Sequence, residues 1–165
     1  MASLVSKCVR ALLEKKWTIA FVESASAGKM CYAFATVPDS GQIVLGGMVC
    51  YHQCMKEESL GIPHDLIERH TAESAEVTRA MATHFRQRTP SDVVVALTGL
   101  TTPGGSETPE KPVGTIFIHI LVKEMPIARR FEFKGTPDAI VDQAIEAAAS
   151  MVLEALSDRE PASVH

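Results

Sequence analysis

Three stretches of this sequence carry residue types that could do chemistry. The first is Glu23-Ser24-Ala25-Ser26-Ala27-Gly28, small side chains between the buried-looking run Thr18 to Val22 and a helical stretch. A strand-to-helix turn exposes a side chain at the strand's carboxyl end and turns free backbone N–H groups toward whatever sits there. That suits an oxyanion hole or a phosphate cradle. The plainer reading is a serine N-cap with small neighbours for packing. The second stretch is Tyr51-His52-Gln53-Cys54-Met55-Lys56, where polar groups crowd the end of an apolar strand. A lysine beside a serine can act as its base once desolvation or a neighbouring cation lowers its pKa. The plainer reading is a solvated Lys56 near Glu57 and Glu58. The third is the loop from Thr98 to Gly114, which includes Gly99, Gly104 and Gly105. It is longer than a simple connection needs to be, and reads as a ligand cover or a surface loop.

These stretches sit at the ends of regular elements. Apolar residues at helical spacing place a first helix over about 3–15, and a short strand follows from Thr18 to Val22. The pattern predicts a second helix from Ser26 to about Val37 and a strand from Ile43 to Tyr51, with a bulge or close backbone approach at Gly46-Gly47. A short helix carries Met55 to Leu60, and Pro63 starts one further turn. Ser74 caps a helix over Ala75 to Arg88. Asp92 to Thr98 reads as a fully buried central strand. Gly114 to Val122 and Ile127 to Lys134 form a hairpin about Lys123, and Thr136-Pro137 opens the last helix. The alternation predicts an α/β fold: a three-layer α/β/α sandwich whose mostly parallel sheet ends in an antiparallel hairpin. One domain over 1–165 is expected, with its core at about 3–157 and a loose tail at 158–165.

The chain has 165 residues, 46% hydrophobic and 22% charged, with a formal net charge of −4. No lysine or arginine stripe is present, which argues against a nucleic-acid partner. No run of about 18 apolar residues is available to span a membrane, and a cytoplasmic address is expected. The cysteines Cys8, Cys31, Cys50 and Cys54 read as reduced thiols. Cys50, His52 and Cys54, with His64 beyond, form only a weak zinc signal because no second paired half exists, and no metal is expected. His119 alternates within a strand and reads as a satisfied strand residue.

Taken together, the three stretches resemble the CinA C-terminal family. Its members show a Glu-Ser-Cys-Thr-Gly-Gly turn, a Tyr-Ser-Asn-x-x-Lys segment, and a Thr-Gly-Ile-Ala-Gly-Pro-Gly-Gly loop leading to Glu-Lys-Pro-Val-Gly-Thr. The matching stretches are Glu23 to Gly28, Tyr51 to Lys56 and Thr98 to Thr115. Val37 to Ser40, Leu45 to Gly47, Leu60-Gly61 and Ser74 to Val77 also fit, so the resemblance runs from about Thr18 to Leu156.

The resemblance implies a stand-alone nicotinamide-nucleotide amidase, which hydrolyses the carboxamide of nicotinamide mononucleotide to nicotinate mononucleotide and ammonia. It implies Ser24 as nucleophile, Lys56 as its base, and Tyr51 and Thr98 as residues that orient groups or relay the proton. Glu23, Ser26, Ala27, Gly28, Gly99, Gly104 and Gly105 would bind substrate, with N–H groups near Ser26 to Gly28 holding the oxyanion. The helix start near Ser26 and the loop at Gly104-Gly105 are both candidate phosphate cradles. A small-molecule nucleotide substrate, no cofactor and a homodimer are expected. Longer relatives carry an N-terminal pyrophosphatase-like domain with a metal requirement, and this chain is expected to lack both. The sequence departs from the family pattern at Ala25, Ser26, Ala27, His52, Gln53, Thr101 and Thr102. Two other readings stay open: a CinA-like binding or stress-response protein without turnover, and an amidase for another small amide.

Overall fold

The computed structural model describes residues 3–157, so the tail expected at 158–165 lies outside the described residues. Helix α1 (Leu4–Lys15) starts on Ser3, whose hydroxyl accepts the Ser6 amide at 3.1 Å, and ends at Lys16 in the left-handed conformation. Strand β1 (Ile19–Glu23), helix α2 (Lys29–Ala35) and strand β2 (Val44–Val49) follow. A single π-helical turn, Met55–Ser59, precedes α3 (His64–His70) and α4 (Ala75–Arg86). Strands β3 (Val93–Gly99), β4 (Thr115–Val122) and β5 (Met125–Glu132) lead to the long helix α5 (Pro137–Ser157).

The five strands lie in the order β2-β1-β3-β4-β5. Strand β1 pairs parallel with β2 and with β3, while β4 pairs antiparallel with β3 and with β5. Only β4 therefore runs against the others, giving the mostly parallel sheet with a hairpin.

Period-two alternation splits the strand side chains between two cores. Ile19, Phe21, Val93, Val95 and Leu97 pack with residues of α1, α2 and α5. Ala20, Val22, Val94 and Ala96 pack with Ile67 of α3 and with Val77, Met81 and Phe85 of α4. Helices thus cover both faces, which is why Asp92 to Thr98 reads as one continuous apolar run.

Several boundaries differ from the sequence reading for local reasons. Helix α2 starts at Lys29, not Ser26, because Ala27 (φ 49°) and Gly28 (φ 96°) adopt left-handed backbone that cannot continue a right-handed helix. Strand β2 stops at Val49, two residues before Tyr51, as the chain turns toward the π-helical segment. Helix α4 ends at Arg86 rather than Arg88. The expected bulge is present: Ile19 pairs with Val44 but Ala20 with Gly46. So is the close approach, since a Cβ on Gly47 would lie 2.8 Å from the Phe21 carbonyl oxygen. Among the described residues no helix is long and apolar enough to cross a membrane.

Candidate active site

The carboxyl ends of β2, β1 and β3 lie side by side, where parallel α/β sheets bind ligands. Two backbone bonds carry the pairing past the strand ends: Cys50 N–H donates to the Glu23 carbonyl at 2.7 Å, and Ser24 N–H to the Leu97 carbonyl at 3.0 Å. They fix Ser24 between its neighbours. The π-helical turn then brings Lys56 back over this edge, and such turns are frequent at functional sites. Lys56 Nζ donates to Ser24 Oγ at 3.0 Å and to the Cys50 carbonyl at 2.8 Å.

Lys56 is 1% exposed and Ser24 6%. Burial holds the Lys56 pKa below the ordinary lysine value, opposed by the negative charge of Glu73 and then by Cys50. The site therefore disfavours the ammonium form. A neutral amine in this place has a lone pair within 3.0 Å of the Ser24 hydroxyl and can take its proton.

Glu23, 1% exposed, organises the turn. Its Oε2 accepts the Ser26 hydroxyl at 2.5 Å and the amides of Gly28 and Met30 at 3.0 and 3.1 Å, while Oε1 accepts the Cys31 amide at 2.8 Å. The carboxylate thus fills the start of α2 from within the fold, and the Gly28 amide expected to face a ligand faces Glu23. The Ala27 amide donates to the Ser24 carbonyl. The amides of Ala25 and Ser26 have no acceptor among the described residues, so they are the donors left open beside Ser24. Replacing Glu23 by alanine strands several buried donors. It is expected to lower stability by about 3 kcal/mol, from roughly 1–3 kcal/mol per stranded group. A thermal melt would register this as a fall of about 6–12 °C; a fall under about 3 °C would mean that the carboxylate does not organise the turn.

Ser24 and Ala25 line a cleft of about 200 Å³ whose other walls are Tyr51, Glu73 and the loop from Gly99 to Gly105. A wider hollow of about 850 Å³ adjoins it and shares Tyr51, Glu73, Gly104 and Gly105, adding His52, Gln53 and Ser106. Gly99 is required where the loop leaves β3, since a Cβ there would lie 2.6 Å from the Thr115 carbonyl oxygen and against Ile116. The Gly104 amide donates to Glu107 Oε1 at 2.7 Å. Both candidate phosphate cradles therefore hold one of the chain's own carboxylates.

The structure brings Ser24 and Lys56 into contact, but it does not join Tyr51 and Thr98 to them by a hydrogen bond. Tyr51 is 66% exposed on the cleft wall. Thr98 is fully buried one residue past the Leu97–Glu23 pairing, with Oγ1 2.7 Å from Thr78 Oγ1. Thr78 gives its only hydroxyl proton to the Ser74 carbonyl at 2.6 Å. Thr98 must therefore donate to Thr78, which leaves Thr98 an acceptor only. Ala27 is exposed and lines neither hollow.

Some of the machinery was not visible in the sequence. Glu73 lies in a loop with no motif, yet it faces the cleft. Lys111 clamps that loop, donating to Thr71 Oγ1 at 2.6 Å, Ser106 Oγ at 2.9 Å and the Glu73 carbonyl at 3.0 Å. The Glu-Lys-Pro stretch that carried the resemblance thereby ties two walls together, and the spacing gave no sign of its partner. His119 corrects the sequence reading: its buried Nε2 has no hydrogen-bond partner among the described residues. Burial, and then Arg79, hold its pKa below the usual histidine value. His52 Nδ1 lies 3.1 Å from Cys54 Sγ. Among the described residues no three histidine, cysteine or acidic side chains gather as a metal site.

Residues 1–156 match the family model described as the CinA C-terminal domain. A CinA-like protein of Desulfotalea psychrophila is 37% identical over 131 residues, 79% of this chain and 32% of that protein. A CinA-like protein of Thermotoga maritima is 34% identical over 152 residues, 92% of this chain and 37% of that one. The chain thus spans about a third of the length of the curated relatives it matches. A competence-damaged protein (CinA) superfamily structure from Escherichia coli superposes with a TM-score of 0.86 at 26% identity, covering 92% of this chain and 88% of that one. The competence damage-inducible protein A of Klebsiella pneumoniae gives 0.89 at 22% identity, over 95% and 97%, a likeness of fold.

Proposed function

We propose that this chain, which belongs to the CinA C-terminal domain family, is a Ser–Lys amidohydrolase that converts nicotinamide mononucleotide to nicotinate mononucleotide and ammonia. The observation that carries the reading is the 3.0 Å contact between the buried Lys56 Nζ and Ser24 Oγ at the floor of a cleft. A buried lysine beside a serine hydroxyl costs stability, and catalysis is the compensation.

In the proposed reaction Ser24 Oγ attacks the carboxamide carbon and neutral Lys56 takes the hydroxyl proton. The negative oxygen of the tetrahedral intermediate is met by the open amides of Ala25 and Ser26. Lys56 then passes its proton to the amide nitrogen as the C–N bond breaks, so ammonia leaves and a Ser24 ester remains. Water attacks the ester, Lys56 takes one of its protons, and the proton returns to Ser24 Oγ as nicotinate mononucleotide departs. The carbonyl of Cys50 holds Nζ in place throughout. Tyr51 acts as a positioning residue on the cleft wall, while Thr98, fully buried with its proton on Thr78, touches no substrate.

The test is turnover of three amides that share one reacting group. Nicotinamide mononucleotide is expected to be hydrolysed at least about a hundredfold faster, in kcat/KM, than nicotinamide riboside or free nicotinamide. The smaller amides forgo the remote binding energy that positions the carboxamide. Binding of the nucleotide without product across a wide pH range would favour the non-catalytic reading. Turnover of another small amide alone would leave the chemistry standing and overturn the substrate.

A further inference from the structure

Glu73 and Tyr51 stand on the walls of both the small cleft and the wider hollow. Among the described residues no lysine or arginine lines either space. Lys56 lies behind Ser24, almost wholly buried. His64 lines the wider hollow, but its ring already meets Glu57 at 2.7 Å and Glu68 at 3.2 Å. Lys111 lines neither space, but its ammonium donates to the Glu73 carbonyl at 3.0 Å and to Ser106 Oγ at 2.9 Å, the hydroxyl that donates to the Glu73 carboxylate, so its charge lies near that carboxylate. Glu73 is the one carboxylate on the wall of the small cleft among the described residues.

Its orientation is fixed. Ser106 Oγ donates to Glu73 Oε2 at 2.5 Å, and Oε1 has no partner among the described residues. Beside it Tyr51 presents an aromatic ring that is mostly exposed. An aromatic face and a carboxylate both attract a positively charged ring, the first through its quadrupole and the second by simple Coulomb attraction. Neither has that attraction for a neutral ring of the same shape.

Resting on the amidase reading, we infer that Glu73 and Tyr51 form a recognition pair for a flat organic cation whose carboxamide reaches Ser24. The pair favours the pyridinium form of the proposed nucleotide substrate over its neutral dihydropyridine form. The charge that is read belongs to the ring bonded to the reacting carboxamide.

The experiment measures equilibrium binding to the intact wild-type chain and to Glu73→Gln. Glutamine keeps the length and the Ser106 hydrogen bond, and a melting curve confirms folding. The probes are 1-methylnicotinamide, a cation, against nicotinamide, its neutral counterpart, and nicotinamide mononucleotide against its reduced form. The wild type should bind the cation of each pair about five- to tenfold more tightly, and Glu73→Gln should bring the ratio to within about twofold of the neutral probe. An unchanged ratio in Glu73→Gln overturns the inference. So does equal binding of cation and neutral probe by the wild type, or no binding of either at millimolar concentration. The cation preference can persist without product formation, and that result would sink the amidase reading while leaving the recognition pair in place.

Discussion

Replacing Ser24 by alanine is expected to cut ammonia release from nicotinamide mononucleotide by about a thousandfold or more. No second hydroxyl can substitute at the same point. Ser26 lies two residues on, and its hydroxyl is committed to Glu23 at 2.5 Å. Thr98 is buried with its proton given to Thr78. The fold should tolerate the change, because Ser24 leaves one partner, Lys56 Nζ, which keeps the Cys50 carbonyl. A melting-temperature shift within about 4 °C is expected, equivalent to roughly 1 kcal/mol for a chain of this size. Substantial activity in a folded Ser24→Ala protein would move the nucleophile elsewhere.

Lys56 gives the second large effect, and its sign with pH is defined. Only the neutral amine can take the Ser24 proton. Burial holds the folded pKa of Lys56 below 10.5, so the rate should rise with pH through a limb that lies below the ordinary lysine range. The same shift acts on stability. Between the folded pKa and the ordinary value, the unfolded chain binds a proton that the folded chain does not, so stability rises with pH across that window. Below the folded pKa both states are protonated and the burial cost is present in full. Lys56→Met should therefore lose about a thousandfold in kcat and lose the pH-dependent gain in stability over that window. Lys56→Arg should be inactive as well, because a guanidinium does not release its proton. Parallel rate and melting profiles in wild type and Lys56→Met check both statements, and an active arginine variant would contradict the base assignment.

The parts of the fold that could be read from the sequence are those set by periodicity and local capping. Asp92 to Thr98 is apolar on both alternating faces, and it became the strand covered from both sides. Ser74 and Thr136-Pro137 marked helix starts because capping is a short-range matter, and Ser74 Oγ does accept the Val77 amide at 3.2 Å. The turn after β1 was harder. Its small residues looked like the first turn of a helix, whereas a buried carboxylate one residue upstream draws the amides of Gly28, Met30 and Cys31 onto itself. Which backbone amide faces a ligand depends on that side chain, and spacing does not report it. In the site, Ser24 and Lys56 are 32 residues apart. Their contact follows from the pairing of β1 with β2 and from one π-helical turn. The lysine alone reads as a surface residue, and only resemblance to a family put it beside the serine. Glu73 had no signal, because its place on the wall is fixed by the clamp from Lys111 to Thr71 and Ser106 on separate loops.

The most direct test of the Ser24–Lys56 assignment is to incubate the purified chain with nicotinamide mononucleotide and follow both products, beside Ser24→Ala under the same conditions. The wild type should release ammonia and nicotinate mononucleotide in equal amounts, faster as pH rises through the Lys56 limb, and the variant should release neither. Product formed equally by wild type and Ser24→Ala, or nucleotide bound by the wild type and never hydrolysed at any pH, would contradict it.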